Sequence, residues 1–127
     1  MAGRRARWWI GALAALAAAL VFVQIMLGGL VAGNHAGQIY NDWPLMNGRL
    51  FPKDYVEAQG FIHSLLHSQA AVQFNHRIGA YLLVVAAILA IVAALRRREL
   101  PRGTSPLALL FAGLILAQAT LGIVTLI

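Results

Sequence analysis

The chain has 127 residues, of which 61% are hydrophobic and 11% are charged, and its formal net charge is +6. A soluble domain of this length needs far more polar surface to cover its core, so the composition excludes an ordinary soluble fold. The chain contains no cysteine, which excludes disulfides, zinc–thiolate sites and haem ligated by a thiolate.

Three long apolar blocks predict an all-α integral membrane protein with transmembrane helices over residues 10–33, 72–95 and 106–127. At about 1.5 Å per residue such blocks span roughly 27–36 Å, enough to cross a hydrocarbon core of about 30 Å. The first block holds one polar side chain, Gln24. Its basic start is also compatible with a cleaved signal peptide, but its length exceeds the usual apolar stretch of about 7–15 residues and favours a retained helix.

Basic side chains flank the first two blocks and predict the topology. They are Arg4, Arg5 and Arg7 before the first block, and Arg96, Arg97, Arg98 and Arg102 after the second. Both clusters fall on one side of the membrane, which the positive-inside rule makes cytoplasmic. The connection 96–105 is then cytoplasmic and the segment 34–71 periplasmic. This distribution also argues against nucleic acid as a partner and leaves membrane lipid as the expected surroundings.

The external segment 34–71 is too long to be a simple connector. Its first half is rich in Gly, Asn, Asp and Pro, which favours turns. From Tyr55 onward helical spacing predicts a short amphipathic helix that lies on the membrane or caps the bundle. One face carries Ala58, Phe61, Ile62, Leu65, Leu66 and Gln69, and the other carries Glu57, Gln59, His63, Ser64 and His67.

Two spans share a short motif, Q-x-x-L-G, which begins at Gln24 and again at Gln118. The repeat is either chance or the trace of a duplicated helical pair, as some membrane proteins show. Gly29 and Gly33 form a G-x-x-x-G, which favours close helix packing over dimerisation. Gly28 widens this surface of small residues. A surface of this kind can form a groove, which a flat cofactor also needs.

Three of the four histidines give weak signals. His35 lies in the turn-rich segment and is expected to be solvated. His63 and His67 have the i, i+4 spacing that can hold a metal ion. However, they lie on the polar face of the predicted amphipathic helix, and no third ligand is near in sequence.

His76 is the strongest candidate for a functional residue, because an ionisable side chain at the start of a membrane span is costly unless it is used. Gly79 and Ala80 follow it on the same helix face and predict an open surface with the clearance a porphyrin needs. Arg77 could pair with a haem propionate, and histidine is a common axial ligand of haem iron. From the residues alone, an interfacial His–Arg pair that only anchors the helix remains an equal alternative.

The stretch "VQFNHRIGAY", preceded by "LGGLVAGNHAGQIYNDWPLMNG", resembles the haem A synthase family of bacterial and mitochondrial inner membranes. The resemblance covers essentially residues 1–127 and matches part of the C-terminal half of that family. It implies eight helices in two pseudo-symmetric four-helix halves, each holding a haem between two histidines. The family oxidises a methyl group of haem O to the formyl group of haem A for cytochrome oxidase assembly.

Carried onto this chain, the resemblance implies that His76 is one axial ligand of a haem b that passes electrons, with Arg77 beside a propionate. Three helices make up part of a four-helix half, so the chain is expected to be a fragment that is inactive alone. The substrate site and the catalytic residues are expected in the missing N-terminal half.

Expected partners are haem O, the remainder of the bundle, and haem O synthase or oxidase-assembly proteins. Two alternatives remain open: a small b-type cytochrome subunit that relays electrons, and a membrane assembly factor without haem.

Overall fold

A computed structural model describes residues 2–96, 100 and 102–127, with side chains from Trp8 onward. The described residues form an all-α fold without a strand, and one isolated bridge joins Met46 and Arg49. The elements in chain order are α1 (Ala2–Gly33), α2 (Phe61–His67), α3 (Gln69–Arg96) and α4 (Thr104–Leu126). The predicted fold class is confirmed.

Three of these helices are long and apolar enough to cross a membrane. The spans are Trp8–Gly33, Gln69–Arg96 and Thr104–Leu126, with 26, 28 and 23 residues. Each exceeds the roughly 20 residues that a hydrocarbon core requires, which confirms the three predicted spans. Arg97 and Arg98, which were expected in the cytoplasmic connection, lie outside the described residues.

Two predicted boundaries differ from the structure for local reasons. The second span begins at Gln69 and not at residue 72, because Ser68 caps it: Ser68 has an extended backbone, and its Oγ accepts a hydrogen bond from the N–H of Ala71 at 3.3 Å. The third span begins at Thr104 and not at residue 106, directly after Gly103, whose φ of 89° is left-handed.

The short helix α2 differs from the predicted one in length and orientation. It runs only from Phe61 to His67, and its buried side chain is Ser64, which belongs to the face predicted to be polar. The Ser64 Oγ accepts from the N–H of Glu57 and donates to the carbonyl of Gly60, both at 2.8 Å. These bonds turn the Ser64 side of α2 inward and leave Ile62 74% exposed.

Helix α3 is the central element, because it packs against α1, α2 and α4. Small residues make its close contacts with α4 possible, among them the buried Ala87 of α3 and Ala112 of α4. The loop between α1 and α2 folds over the first turns of α3 and forms a small core there. That core contains Tyr40, Met46 and Ala70, with Ile39 and Phe74 packed against it.

Candidate functional site

A cavity of about 850 Å³ lies between α1, α3 and α4, with the loop at one end. This volume is within the range of roughly 300–1,000 Å³ that is typical of ligand sites. Its lining is mainly apolar. The polar or small residues in the lining include Gln24, Gly28, Gln73, His76, Arg77, Ala80, Gln118, Thr120 and Gly122, and Gly37, Gln38 and Trp43 line it from the loop.

His76 is at the wall of this cavity, deeper in the helix than predicted. It is the eighth residue of α3, about 10 Å from the start of the helix, whereas it is the fifth residue of the predicted span 72–95. The Nε2 of Gln24 lies 3.0 Å from the His76 Nδ1 and also donates to the His76 carbonyl at 3.0 Å. A Cβ at Gly28 would lie 3.4 Å from the His76 Cε1. The imidazole is therefore held closely by α1.

The role predicted for Gly79 needs correction. A Cβ at Gly79 would collide with the Oε1 of Gln24, and it would lie 3.2 Å from the Cδ1 of Leu27. The space beside Gly79 is therefore filled by α1 and does not provide clearance for a porphyrin. Ala80, the other small residue of the prediction, does line the cavity.

Arg77 is buried and holds the loop. Its Nη1 donates to the carbonyls of Asp42 at 3.0 Å and Leu45 at 2.9 Å, and its Nη2 donates to the carbonyl of Tyr40 at 2.8 Å. Within the described part of the chain, its buried Nε has no hydrogen-bond partner. Arg77 is among the residues that line the cavity, and these three bonds occupy three of its five N–H donors.

Two further residues of the Q-F-N-H-R motif also hold the loop, which sequence reasoning missed. The Nε2 of Gln73 donates to the carbonyls of Gly37 at 3.2 Å and Tyr40 at 3.3 Å. The hydroxyl of Tyr55 donates to the Oδ1 of Asn75 at 2.9 Å. The polar character of the motif was visible in the sequence, but its partners are more than 15 residues away and no local pattern indicates them.

A charged turn closes the loop near Arg77. The carboxylate of Asp42 accepts hydrogen bonds from the backbone N–H groups of Asn47 at 2.9 Å and Gly48 at 3.0 Å. These bonds hold the pKa of Asp42 below its usual value, and the nearby Arg77 adds a smaller effect in the same direction. Burial raises the pKa of the Tyr40 hydroxyl, and the charges of nearby aspartates raise it further.

The other three histidines do not line the cavity. His35 is exposed, with a φ of 52°. His63 and His67 are exposed on α2, and their ring centroids are 4.4 Å apart. Among residues 2–96, 100 and 102–127, no group of three or more His, Cys, Asp and Glu side chains is placed to hold a metal ion.

Comparison with known proteins identifies the family. A family model described as cytochrome oxidase assembly protein matches residues 2–127. The chain belongs to the cytochrome oxidase assembly protein family. With three helices able to span a bilayer, this member of the family is an integral membrane protein.

The similar curated proteins are named heme A synthase. The chain is 54% identical over 122 residues to the one from Caulobacter sp. (strain K31), covering 96% of this chain and 35% of that protein. It is 55% identical over 122 residues to the one from Caulobacter vibrioides, with the same coverage. It is 46% identical over 110 residues to the one from Methylobacterium radiotolerans, covering 85% of this chain and 29% of that protein. The chain thus spans about a third of the length of these relatives. No solved structure matches it.

The cavity residues fit a haem. The one hydrogen bond given for the His76 ring within the described residues is made by Nδ1, which leaves Nε2 as the ring nitrogen that could ligate iron once it carries no proton. Arg77, a residue of the cavity wall, is a charged donor suited to a propionate. The apolar lining suits the faces of a macrocycle.

Proposed function

We propose that these residues form a haem-holding part of a haem A synthase, corresponding to part of its C-terminal half. Such an enzyme oxidises a methyl group of haem O to the formyl group of haem A. The observation that carries the proposal is the placement of His76, held by α1 at the wall of a cavity of about 850 Å³. The identity of 54% to a protein named heme A synthase supports it.

In this proposal four of the cavity residues have distinct tasks. The Nε2 of His76 would ligate the iron of haem b, and Arg77 would donate to a propionate. Gly28 leaves room for the imidazole, and Ala80 contributes a small side chain to the cavity wall. When bound, haem b supplies a one-electron carrier. The protein positions that carrier, and the apolar lining limits water around it.

The surroundings of the site follow from the same proposal. The N-terminus faces the cytoplasm of a bacterium, and residues 34–71 face the periplasm at the inner membrane. Haem O is the substrate of the whole enzyme, and haem O synthase and oxidase-assembly proteins are its partners. The catalytic residues belong to a part of the enzyme outside this chain.

The first experiment records reduced-minus-oxidised absorbance spectra of the purified full-length membrane protein that contains these residues. We expect a b-type spectrum that is diminished in His76→Ala and retained in His35→Ala, a control at an exposed residue away from the cavity. A protein without any haem absorbance would favour the assembly-factor alternative. An unchanged spectrum in His76→Ala would refute the assigned ligand.

The second experiment separates the enzyme from a simple cytochrome. Cells that supply haem O are extracted, and their haems are separated by chromatography and identified by mass spectrometry. The proposal expects haem A when the full-length protein is present and none when it is deleted. A b-type spectrum without haem A would favour the b-type cytochrome subunit.

A further inference from the structure

Gln24 is the residue that the proposed function leaves unexplained. It is the one polar side chain in an apolar block of α1, and a polar group at that depth is costly unless it is paired. Its Nε2 serves two acceptors on the same residue, the Nδ1 and the carbonyl of His76. Its Oε1 is buried and lacks a hydrogen-bond partner among the described residues. The amide thus holds an unused acceptor next to the imidazole.

The hydrogen-bond pattern around His76 determines which ring nitrogen can bind a metal. With the Nε2 of Gln24 as donor, the Nδ1 of His76 is an acceptor, so a neutral ring carries its proton on its own Nε2. A ring that ligates iron through Nε2 must instead carry the proton on Nδ1, and that N–H needs an acceptor. The Oε1 of Gln24 is on the same amide, and a half-turn of the amide would exchange the bond that the Nε2 donates to the His76 carbonyl for one that the Oε1 accepts from the Nδ1–H.

The neighbouring glycine explains why the amide can lie so close. A Cβ at Gly79 would occupy the position of the Gln24 Oε1, so the amide fits only against a residue without a side chain. Gly28, one turn beyond Gln24, leaves room for the ring itself, since its Cβ would lie 3.4 Å from the His76 Cε1. The two glycines and the amide thus form one fitted contact around the imidazole.

We propose that Gln24 is a positioning residue for His76, and that its amide oxygen accepts the Nδ1–H of the imidazole when Nε2 binds haem iron. This inference rests on the proposed function, because it requires His76 to be a ligand. The hydrogen bond sets the tautomer and the plane of the ring. It also increases the electron donation of the imidazole to the iron, as acceptors behind metal-bound histidines do.

The test measures the haem midpoint potential and the low-spin electron paramagnetic resonance signal in the full-length protein. Gln24→Leu removes the acceptor, so we expect a higher potential and a broader signal, because the ring orientation is less defined. Gln24→Glu keeps the shape and strengthens the acceptor, so we expect a lower potential. A tenfold change in the ratio of reduced to oxidised haem at fixed potential corresponds to 59 mV for one electron, and we expect shifts of this order.

Gln59→Leu is the matched control. It makes the same change of an amide side chain to an alkyl one as Gln24→Leu, but at an exposed residue of the loop that does not line the cavity. We therefore expect the potential and the resonance signal of the parent protein.

The outcomes separate this inference from the proposed function. If His76→Ala loses the b-type spectrum while both Gln24 variants match Gln59→Leu, the positioning role is refuted and the ligand stands. If His76→Ala keeps its spectrum, the proposed function is refuted first. If Gln24→Leu does not accumulate, the isosteric Gln24→Glu decides: a lowered potential supports the role, and an unchanged one refutes it.

Discussion

Replacing Gly79 by alanine tests whether α1 and α3 close around the amide of Gln24. The added Cβ would collide with the Oε1 of Gln24, and it would lie 3.2 Å from the Cδ1 of Leu27. Neither group is the far end of an exposed, flexible side chain, since the amide is also tied to His76 by two contacts of 3.0 Å. The substitution must therefore separate the helices or displace the amide from the imidazole.

The expected cost follows from three contributions. Forcing a methyl group into a packed contact costs about 1–3 kcal/mol. Losing the two contacts of Gln24 adds about 1 kcal/mol, since hydrogen bonds between membrane helices average about 0.6 kcal/mol. The higher helix propensity of alanine returns about 1 kcal/mol. We therefore expect Gly79→Ala to lower the free energy of unfolding by about 1–3 kcal/mol.

The assay is unfolding in mixed micelles, followed by the loss of helical circular dichroism. Gly113→Ala in α4 is the matched control, because a Cβ there meets no atom within 4 Å and gains the same propensity. A double-mutant cycle with Gln24→Ala identifies the cause, since the cost of Gly79→Ala should largely disappear once the amide is gone. Equal stability of the Gly79 and Gly113 variants, or an undiminished cost in the Gln24→Ala background, would refute the reasoning.

Three further predictions concern the loop. Arg77→Lys should speed limited proteolysis of the loop several-fold, because a lysine ammonium group cannot reproduce the geometry with which the guanidinium donates to three loop carbonyls. Arg49→Lys, at an exposed residue, should leave the rate of proteolysis unchanged. The pKa of the Asp42 carboxyl is lowered from its usual 3.8 in the folded loop. The ionised carboxylate therefore stabilises the loop fully at pH values above 3.8, and this stabilisation is lost as the pH falls through the lowered pKa. In the parent protein, the protection of the Gly48 amide against hydrogen exchange, corrected for intrinsic rates, should decrease at acid pH. In Asp42→Asn this dependence on pH should be absent. Ser64→Ala should destabilise the loop by about 1–3 kcal/mol in thermal unfolding, because it leaves a backbone N–H without its acceptor.

The spans could be predicted from the sequence because length and hydropathy are sufficient for a membrane helix. The same measure could not locate the start of α3, since residues 69–71 are not especially apolar. That boundary depends on Ser68, whose hydroxyl caps the helix and also donates to the carbonyl of Asp54 at 3.0 Å. Likewise, the periodicity of α2 indicated two faces, but which face turns inward depends on the distant partners of Ser64.

The candidate site was predicted in part. His76 and Ala80 lie at the cavity, as their spacing on one helix face indicated. Arg77 was expected beside a propionate, but most of its donors are occupied by loop carbonyls 32–37 residues earlier in the chain. Helical spacing reveals which residues share a face, whereas it contains no information about a loop that folds back onto that face.

The pairing of Gln24 with His76 can nevertheless be predicted by comparing how deep each residue lies in the membrane. Two consecutive spans joined by a loop are antiparallel, so residues at equal distances from the loop lie at equal depths. Gln24 is nine residues before the end of α1, about 13 Å along the helix, and His76 is seven residues after the start of α3, about 10 Å along it. Because polar groups at such depth need partners, Gln24, the one polar side chain of its block, is expected to face a polar residue at a matching depth on the adjacent span. The contact of 3.0 Å between them agrees with this expectation, and the same comparison can be applied to any pair of neighbouring spans before a structure is known.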